Sequence, residues 1–467
     1  MTTPRVRFAP APTGFLHVGS ARSALFNWFH ARHHGGTMVL RIEDTNAELA
    51  KPEFYDAITE PLKWLGIDWD EGPYYQSQRT QLYLDAVQQL LESGDAYFCD
   101  CSRDAIDARH KERGGKPGYD AFCADRDLSD GEGAVVRFRV PREGTTVVDD
   151  VVRGQVEFAN RDLEDFVIRR SNGTPVFLVA NAVDDAEMGI THVVRGEDLL
   201  NTTPKVRLLW DALGFGEPPT YAHLPLLVGE DRKKLSKRKS SVALSDFEAQ
   251  GYIPEAMVNY LALLGWGPPD DVEIRPVSEI IELFSLEDVN KAPAFFDMKK
   301  LGHINASYIR DLEINDFKER VQPWLTDRAP WTSEQYRPEV FEALAEIIQS
   351  KVRTLAEAPS FIDWLMFDDA PTDEKSWEKT MVNGKASREM LDGVIAGIGD
   401  VDWTHEGMYN LVLSVGEANE LKLGKAQAPI RVAVTGRTVG PPLFESIVLL
   451  DRGEVRRRLE IARTQLG

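Results

Sequence analysis

Near the start of the chain a proline-rich turn, Phe8-Ala9-Pro10-Ala11-Pro12-Thr13-Gly14, leads into His17-Val18-Gly19-Ser20. Free amide groups at a helix N-terminus attract phosphate, a glycine lets the phosphate come close, and an imidazole donates a hydrogen bond to a phosphoryl oxygen as its charge grows. That is a nucleotide-binding design. Much later comes Lys233-Lys234-Leu235-Ser236-Lys237-Arg238. Ammonium groups on a short loop hold a triphosphate and neutralise the leaving pyrophosphate, and a mobile loop does so chiefly in the transition state. Each stretch alone also fits a plainer account: a proline turn with a capping histidine, or a solvated lysine face. The three cysteines, Cys99, Cys101 and Cys123, are too few for a disulfide framework, and their clustering points to a metal or to nothing.

Both stretches need elements to hold them. Val6 to Phe8 is a short apolar run that Pro10, Pro12 and Gly14 stop, since proline neither extends a ladder nor continues a helix. Ala21, Ala24, Leu25, Trp28 and Phe29 recur at helical spacing, so a helix starting between His17 and Ser20 runs to Gly35-Gly36, and Met38 to Ile42 is the next strand. Strand, helix, strand predicts a parallel sheet with a right-handed crossover. From about 83 to 176 that pattern is interrupted by the cysteines, clustered glycines and short strands such as Val135 to Val140. There Asp165 to Arg170 and Pro175 to Asn181 flank Ser171-Asn172-Gly173, which predicts a hairpin. Thr191 to Arg195 resumes the strands, Thr203-Pro204 caps and opens a helix through Leu213, and beyond about 240 the signals are helical. The two chemical stretches thus flank one interrupted α/β pattern, and ligands collect beyond the carboxyl ends of such strands.

A chain of 467 residues, 43% hydrophobic and 28% charged, is globular and long enough for several domains. It contains no apolar stretch near the roughly 18 residues a span requires, and Met1 to Pro10 lacks a signal core, so a soluble cytoplasmic protein is expected. With 54 basic and 75 acidic residues the net charge is −21, which argues against nonspecific adhesion to nucleic acid or an anionic membrane as the main activity. A localised basic track is still present, because residues 231–239 hold six basic side chains and one acidic.

The histidine and lysine stretches resemble the HIGH and KMSKS signatures of class I aminoacyl-tRNA synthetases, and the surrounding sequence is similar to the glutamyl-tRNA synthetase family. The resemblance runs through Arg41-Ile42-Glu43-Asp44-Thr45, Trp64-Leu65-Gly66-Ile67, Asp70-Glu71-Gly72-Pro73-Tyr74, Gly118-Tyr119-Asp120, Val183-Asp184-Asp185, Arg195-Gly196-Glu197-Asp198 and Lys422-Leu423-Gly424-Lys425. It implies ATP-dependent activation of L-glutamate to glutamyl-adenylate and transfer to the 3′ end of tRNA(Glu), with Mg2+ accompanying ATP; the alternative is an enzyme that also charges tRNA(Gln). It further implies catalytic roles for His17, Gly19, Ser20, Lys234, Ser236 and Lys237, with Pro10, Thr13 and Gly14 joining His17, Gly19 and Lys237 around ATP. Arg7, Ala9, Ala11, Glu43, Phe177, Asn181 and Arg195 fall at the family's glutamate-binding positions. A guanidinium fork suits the side-chain carboxylate, and Glu43 suits the α-ammonium. Ala11 and Phe177 stand where the family often has serine and tyrosine, which removes hydroxyls and is expected to raise the Michaelis constant severalfold.

By the same resemblance Cys99, Cys101, Tyr119 and Cys123 are expected as a zinc site, with Asp125 as the alternative to Tyr119 for the fourth donor, and Lys351 and Arg353 as contacts to the anticodon. The implied architecture is α/β and multidomain: a Rossmann-type parallel-sheet catalytic domain split into 1–82 and 177–230 by an α+β acceptor-binding insertion at 83–176. A stem-contact domain with the lysine loop follows at 231–310, then an all-α anticodon-binding half at 311–467 with a subdomain boundary near 370. A monomer is the family expectation.

Overall fold

A computed structural model of the protein describes residues 3–45, 53–114, 118–235 and 243–467. The chain forms two compact units, one of residues 1–248 and 254–301, the other of residues 249–253 and 302–467. In the first, the strands are β1 (Arg5–Phe8), β2 (Thr37–Ile42), β3 (Glu71–Tyr75), β4 (Ala96–Cys99), β5 (Val135–Phe138), β6 (Thr145–Asp150), β7 (Gly154–Ala159), β8 (Val167–Arg169), β9 (His192–Gly196) and β10 (Thr220–Leu224). Seven of them make one sheet in the order β3-β2-β1-β9-β10-β6-β7, parallel except for the β6–β7 hairpin. This is the expected Rossmann-type sheet. From β1 the chain passes through helix α1 (Val18–His33) to β2 on one side, while β9 leads to β10 on the other, so the strand order reverses between β1 and β9. A crevice opens at such a reversal, beyond the carboxyl ends of the strands.

The interrupted stretch contributes to two sheets. β4, β5 and β8 form a small antiparallel sheet, while β6 and β7 add to the edge of the large one, with Asp150 paired to Tyr221. Its apolar residues Tyr83, Val136, Phe138 and Ile168 share a core with Val179, Val183, Val206 and Leu209. One expectation fails here. Pro175 to Asn181 does not return as the second strand of a hairpin: Arg169 makes a single bridge to Pro175, and Phe177–Glu187 is a helix. A short apolar run fits a buried strand or a buried helix equally, and Val179, Ala180 and Val183 bury along a helical face against that core. Thr203 is likewise the first residue of its helix and not the cap, which is Thr202.

Helix α1 ends in a histidine cluster. His30 is buried with both ring nitrogens unpartnered among the described residues, and its ring lies 4.6 Å from that of His34 and 4.8 Å from that of His192. Burial, then the neighbouring His192 and His34, pull His30 from its ordinary 6.5 down to about 4; Glu287 opposes this and His33 adds to it. The folded-state value is the lower one, so from about pH 6.5 down to about 4 the unfolded chain takes up a proton that the folded chain resists, and stability falls as pH falls. Thermal melts between pH 7.5 and 4.5 should show His30→Leu with a flatter decline than the unsubstituted protein; equal slopes would mean that His30 carries none of the loss.

The second unit is helical, including Ile314–Leu325, Pro338–Lys351, Pro359–Met366, Ser387–Gly397, His405–Ala418, Leu423–Thr435 and Arg452–Gln465. Arg458 ties three of these together. It is buried, pairs with Glu454 on its own helix at 2.7 Å, and donates to the carbonyls of Trp364 and Val434 at 2.8 and 2.9 Å. A cation at two helix C-termini satisfies carbonyls that the helices leave open.

Candidate active site

The crevice between β1 and β9 is a cleft of about 640 Å³. One end is built by the start of α1, where His17 is the N-cap in an extended conformation. Its Nδ1 accepts hydrogen bonds from the amides of Gly19 at 3.1 Å and Ser20 at 3.3 Å. Two donors on Nδ1 require the neutral tautomer with its proton on Nε2, which lies 3.1 Å from Ser20 Oγ. The histidine therefore presents an N–H donor beside a helix N-terminus. Gly19 makes this arrangement fit, because a Cβ there would stand 3.0 Å from His17 Cε1 and 3.1 Å from Nδ1. Pro10, Thr13, His17, Gly19 and Ser20 line the cleft, whereas Gly14 is not part of its wall.

Lys234 lines the same cleft and donates to Asp198 Oδ2 at 2.8 Å. Its backbone bridges Val228, and Leu235 N donates to Leu227 O at 3.0 Å. Ser236 and Lys237 lie outside the described residues. The chain is described again from Ala243, which bridges His17, and Leu244 N donates to Leu16 O at 3.0 Å. Ala243 and Leu244 thus lie against the entry to α1, and Lys234 and Leu235 line the cleft that it borders.

At the other end the carboxyl ends of β1, β2 and β9 bring Arg7, Glu43 and Arg195 together with Asn181 from the helix Phe177–Glu187, and all seven residues expected around the amino acid line the cleft. Beneath them is a buried ionic network that sequence reading did not assign to the site. Asp185 accepts from Arg7 Nε at 3.1 Å and Arg41 Nη1 at 2.8 Å; Arg41 Nη2 donates to Asn181 Oδ1 at 3.0 Å, and Asn181 Nδ2 donates to Glu43 Oε1 at 2.9 Å. Burial works against the Asp185 charge, yet Arg7 and Arg41 bring its carboxyl below the usual range. For Glu43 burial prevails and raises the carboxyl despite the same two arginines. The adjacent acids Asp184-Asp185 in an apolar stretch are the signal that could have revealed this network, since a buried carboxylate needs a cation.

Arg195 differs from Arg7 and Arg41. It is 7% exposed, and its hydrogen bonds go to His223 Nε2, Thr203 Oγ1 and the Leu199 carbonyl. Among the described residues it pairs with no carboxylate. Burial, reinforced by the charge of Arg7, pulls its guanidinium down to about 10, still charged at neutral pH. A buried cation without a counter-ion favours an anionic ligand. Ala11 and Phe177 border the cleft without a side-chain hydroxyl.

The three cysteine sulfurs lie within 4.8 Å of one another. Tyr119 Oη accepts from Cys123 N at 2.9 Å and is hydrogen-bonded to the thiols of Cys99 and Cys123. Arg109 and Arg126 each place a guanidinium nitrogen 3.3 Å from a cysteine sulfur, at Cys101 and Cys123. Asp125 pairs with Arg139 in solvent and is not part of the group. In the helical unit Lys351 ends its helix exposed, and Arg353, also exposed, has its backbone pinned by Glu357 at 2.7 Å and Asn305 at 2.6 Å.

Residues 4–303 match the family described as tRNA synthetases class I (E and Q), catalytic domain, and residues 316–463 match the anticodon binding domain. The chain belongs to this class I tRNA synthetase family, as the parallel sheet and its two-ended cleft imply. It is 52% identical to the glutamate–tRNA ligase of Thermobifida fusca, covering 99% of this chain and 98% of that protein. It is 49% identical to that of Salinispora arenicola, covering 99% and 100%. A crystal structure of the Elizabethkingia meningosepticum glutamate tRNA ligase in complex with its amino acid superposes with a TM-score of 0.83 at 28% identity over the whole of both chains.

Proposed function

We propose that the protein activates L-glutamate with ATP and transfers the glutamyl group to the 3′ end of tRNA(Glu), as a monomer in the cytoplasm. The observation that carries this reading is Arg195, a buried guanidinium beside Arg7 that pairs with no carboxylate among the described residues and lines the same cleft as His17. In this reading the glutamate side chain enters between Arg195 and Arg7, Glu43 with Asn181 takes the α-ammonium, and the α-carboxylate attacks the α-phosphorus of ATP, releasing pyrophosphate. No nucleophilic side chain is needed. His17 Nε2–H, Ser20 and the amides at the start of α1 steady the phosphates, while Lys234, Ser236 and Lys237 neutralise the leaving pyrophosphate. Mg2+ would accompany the triphosphate and spread its charge.

Segment 83–176 serves as the acceptor-binding insertion, 231–310 as the stem-contact part with the lysine loop, and 311–467 as the anticodon module, where Lys351 and Arg353 meet the anticodon. Among the described residues no helix is long and apolar enough to cross a membrane. The test is to charge purified tRNA(Glu) and tRNA(Gln) separately with labelled glutamate. Charging of tRNA(Glu) is expected, the tRNA(Gln) arm reads the range, and failure with both overturns the reading.

The cysteine group fits zinc: three thiols close together plus a tyrosine hydroxyl make four donors, and the two guanidinium groups favour thiolate. Zinc there would clamp the Cys99–Cys101 segment to Tyr119 and Cys123, a structural role. Metal analysis of the purified protein should find about one zinc per chain, lost in Cys123→Ser; well under one in the unsubstituted protein removes the site.

A further inference from the structure

Arg195 is oriented by a chain of hydrogen bonds that runs through His223 to Asp150. His223 sits in β10 directly across from Arg195 in β9, in a parallel register that pairs the two residues. Its ring is fully buried, and Nδ1 lies 2.6 Å from Asp150 Oδ2 on β6. Asp150 is itself held by the amides of Val152, Arg153 and His223 at 3.0, 2.7 and 3.0 Å, so its carboxylate is fixed in place. A carboxylate at that distance takes the Nδ1 proton as its hydrogen bond and leaves Nε2 as an acceptor. On Nε2 converge Arg195 Nε–H at 3.2 Å and Thr203 Oγ1 at 3.0 Å, and Arg195 Nη2 donates to Thr203 Oγ1 at 2.8 Å. One edge of the guanidinium is therefore engaged, and among the described residues Nη1 has no hydrogen-bond partner, which leaves it for a ligand in the cleft that Arg195 lines.

We propose that His223, locked in one tautomer by Asp150, is a positioning residue that sets the Arg195 guanidinium for the substrate's side-chain carboxylate and so contributes to selection of an acidic amino acid. The proposal rests on the reading of Arg195 given above. It accounts for why a histidine and an aspartate are buried at the sheet edge side of the cleft, where neither touches the reacting atoms. Burial holds His223 below its ordinary range, although Asp150 opposes this, so the ring is neutral at pH 7 and does not add a second positive charge beside Arg195. Tautomer matters more than charge. If Asp150 became a neutral amide, its NH2 could present a donor to Nδ1, the ring proton would move to Nε2, and two donors would then face each other between His223 and Arg195.

The test is steady-state aminoacylation with tRNA, measuring KM for glutamate, KM for ATP and kcat for His223→Asn, His223→Gln, Asp150→Asn and the double substitution, with thermal melts on each. Asparagine keeps a donor for Asp150 and removes the acceptor facing Arg195, so glutamate KM should rise about tenfold with ATP KM and kcat within about twofold. Glutamine carries an amide oxygen out to the Nε2 position and should recover most of that loss. Asp150→Asn should match His223→Asn, and the double substitution should cost no more than either one, because all three break the same link. An unchanged glutamate KM in His223→Asn, equal losses in asparagine and glutamine, or parallel changes in ATP KM and kcat would each overturn the proposal in favour of a packing role. Arg195→Gln, measured alongside, separates the two claims: if it leaves glutamate KM unchanged the carboxylate reading itself falls, and if it raises KM while His223→Asn does not, only the positioning role falls.

Discussion

Arg195→Met should lower kcat/KM for glutamate about a thousandfold and leave the folded protein no less stable. Truncating one partner of a buried, charged hydrogen-bonded pair costs about 2–5 kcal/mol of binding, and about 4 kcal/mol is three powers of ten in rate. The stability sign is opposite to that of an ordinary buried arginine. Arg7 and Arg41 share Asp185, so removing either takes one of the two cations that offset the burial of that carboxylate, but Arg195 pairs with no acid among the described residues and its charge is carried at a net cost to the fold. Its neutral partners keep each other, since Thr203 Oγ1 lies 3.0 Å from His223 Nε2 and can donate to it. Kinetics and melting curves on the one variant check both parts; a thousandfold loss accompanied by a large drop in Tm would show that Arg195 holds the sheet together.

The second large effect is expected at His17. His17→Asn should lower kcat about a hundredfold while KM for ATP moves severalfold at most, because the imidazole Nε2–H acts where charge develops on the phosphoryl oxygens. The asparagine oxygen can take over the acceptor position of Nδ1 and keep the bonds from the Gly19 and Ser20 amides, so Tm should hold. His17→Ala should lose the same catalysis and, with the cap gone, about 1 kcal/mol of stability as well. Single-turnover adenylate formation and thermal melts on both variants separate the two roles. A kcat within a few-fold of the unsubstituted value in His17→Asn would place the histidine in capping alone.

Much of this cleft was legible in the chain because its parts are local. Pro10, Pro12 and Gly14 must break β1, the periodicity from Ala21 to Phe29 must be a helix, and a histidine two residues before a glycine at that junction lands on the helix N-terminus whatever surrounds it. Arg7, Glu43 and Arg195 come from the family resemblance rather than from any local pattern, and they fall at or just beyond the carboxyl ends of β1, β2 and β9. The helix at Phe177 was misread as a strand, since an apolar run of that length carries no period of its own and its burial against Val136 and Phe138 decided the matter.

Three features depended on the folded chain. β6 and β7 join the large sheet from within a stretch that reads as an interruption, because a sheet edge is filled by whichever strand the crossover delivers. Asp184-Asp185 in an apolar stretch signals a buried carboxylate, but its partners Arg7 and Arg41 lie 178 and 144 residues away, and nothing local names them. Arg195 reads like any strand-end arginine until its surroundings are seen to offer a histidine and a threonine and no acid. Which residues bear charge is written in the chain; which charge goes without a partner, and so selects the ligand, is settled by distances between strands that only packing brings together.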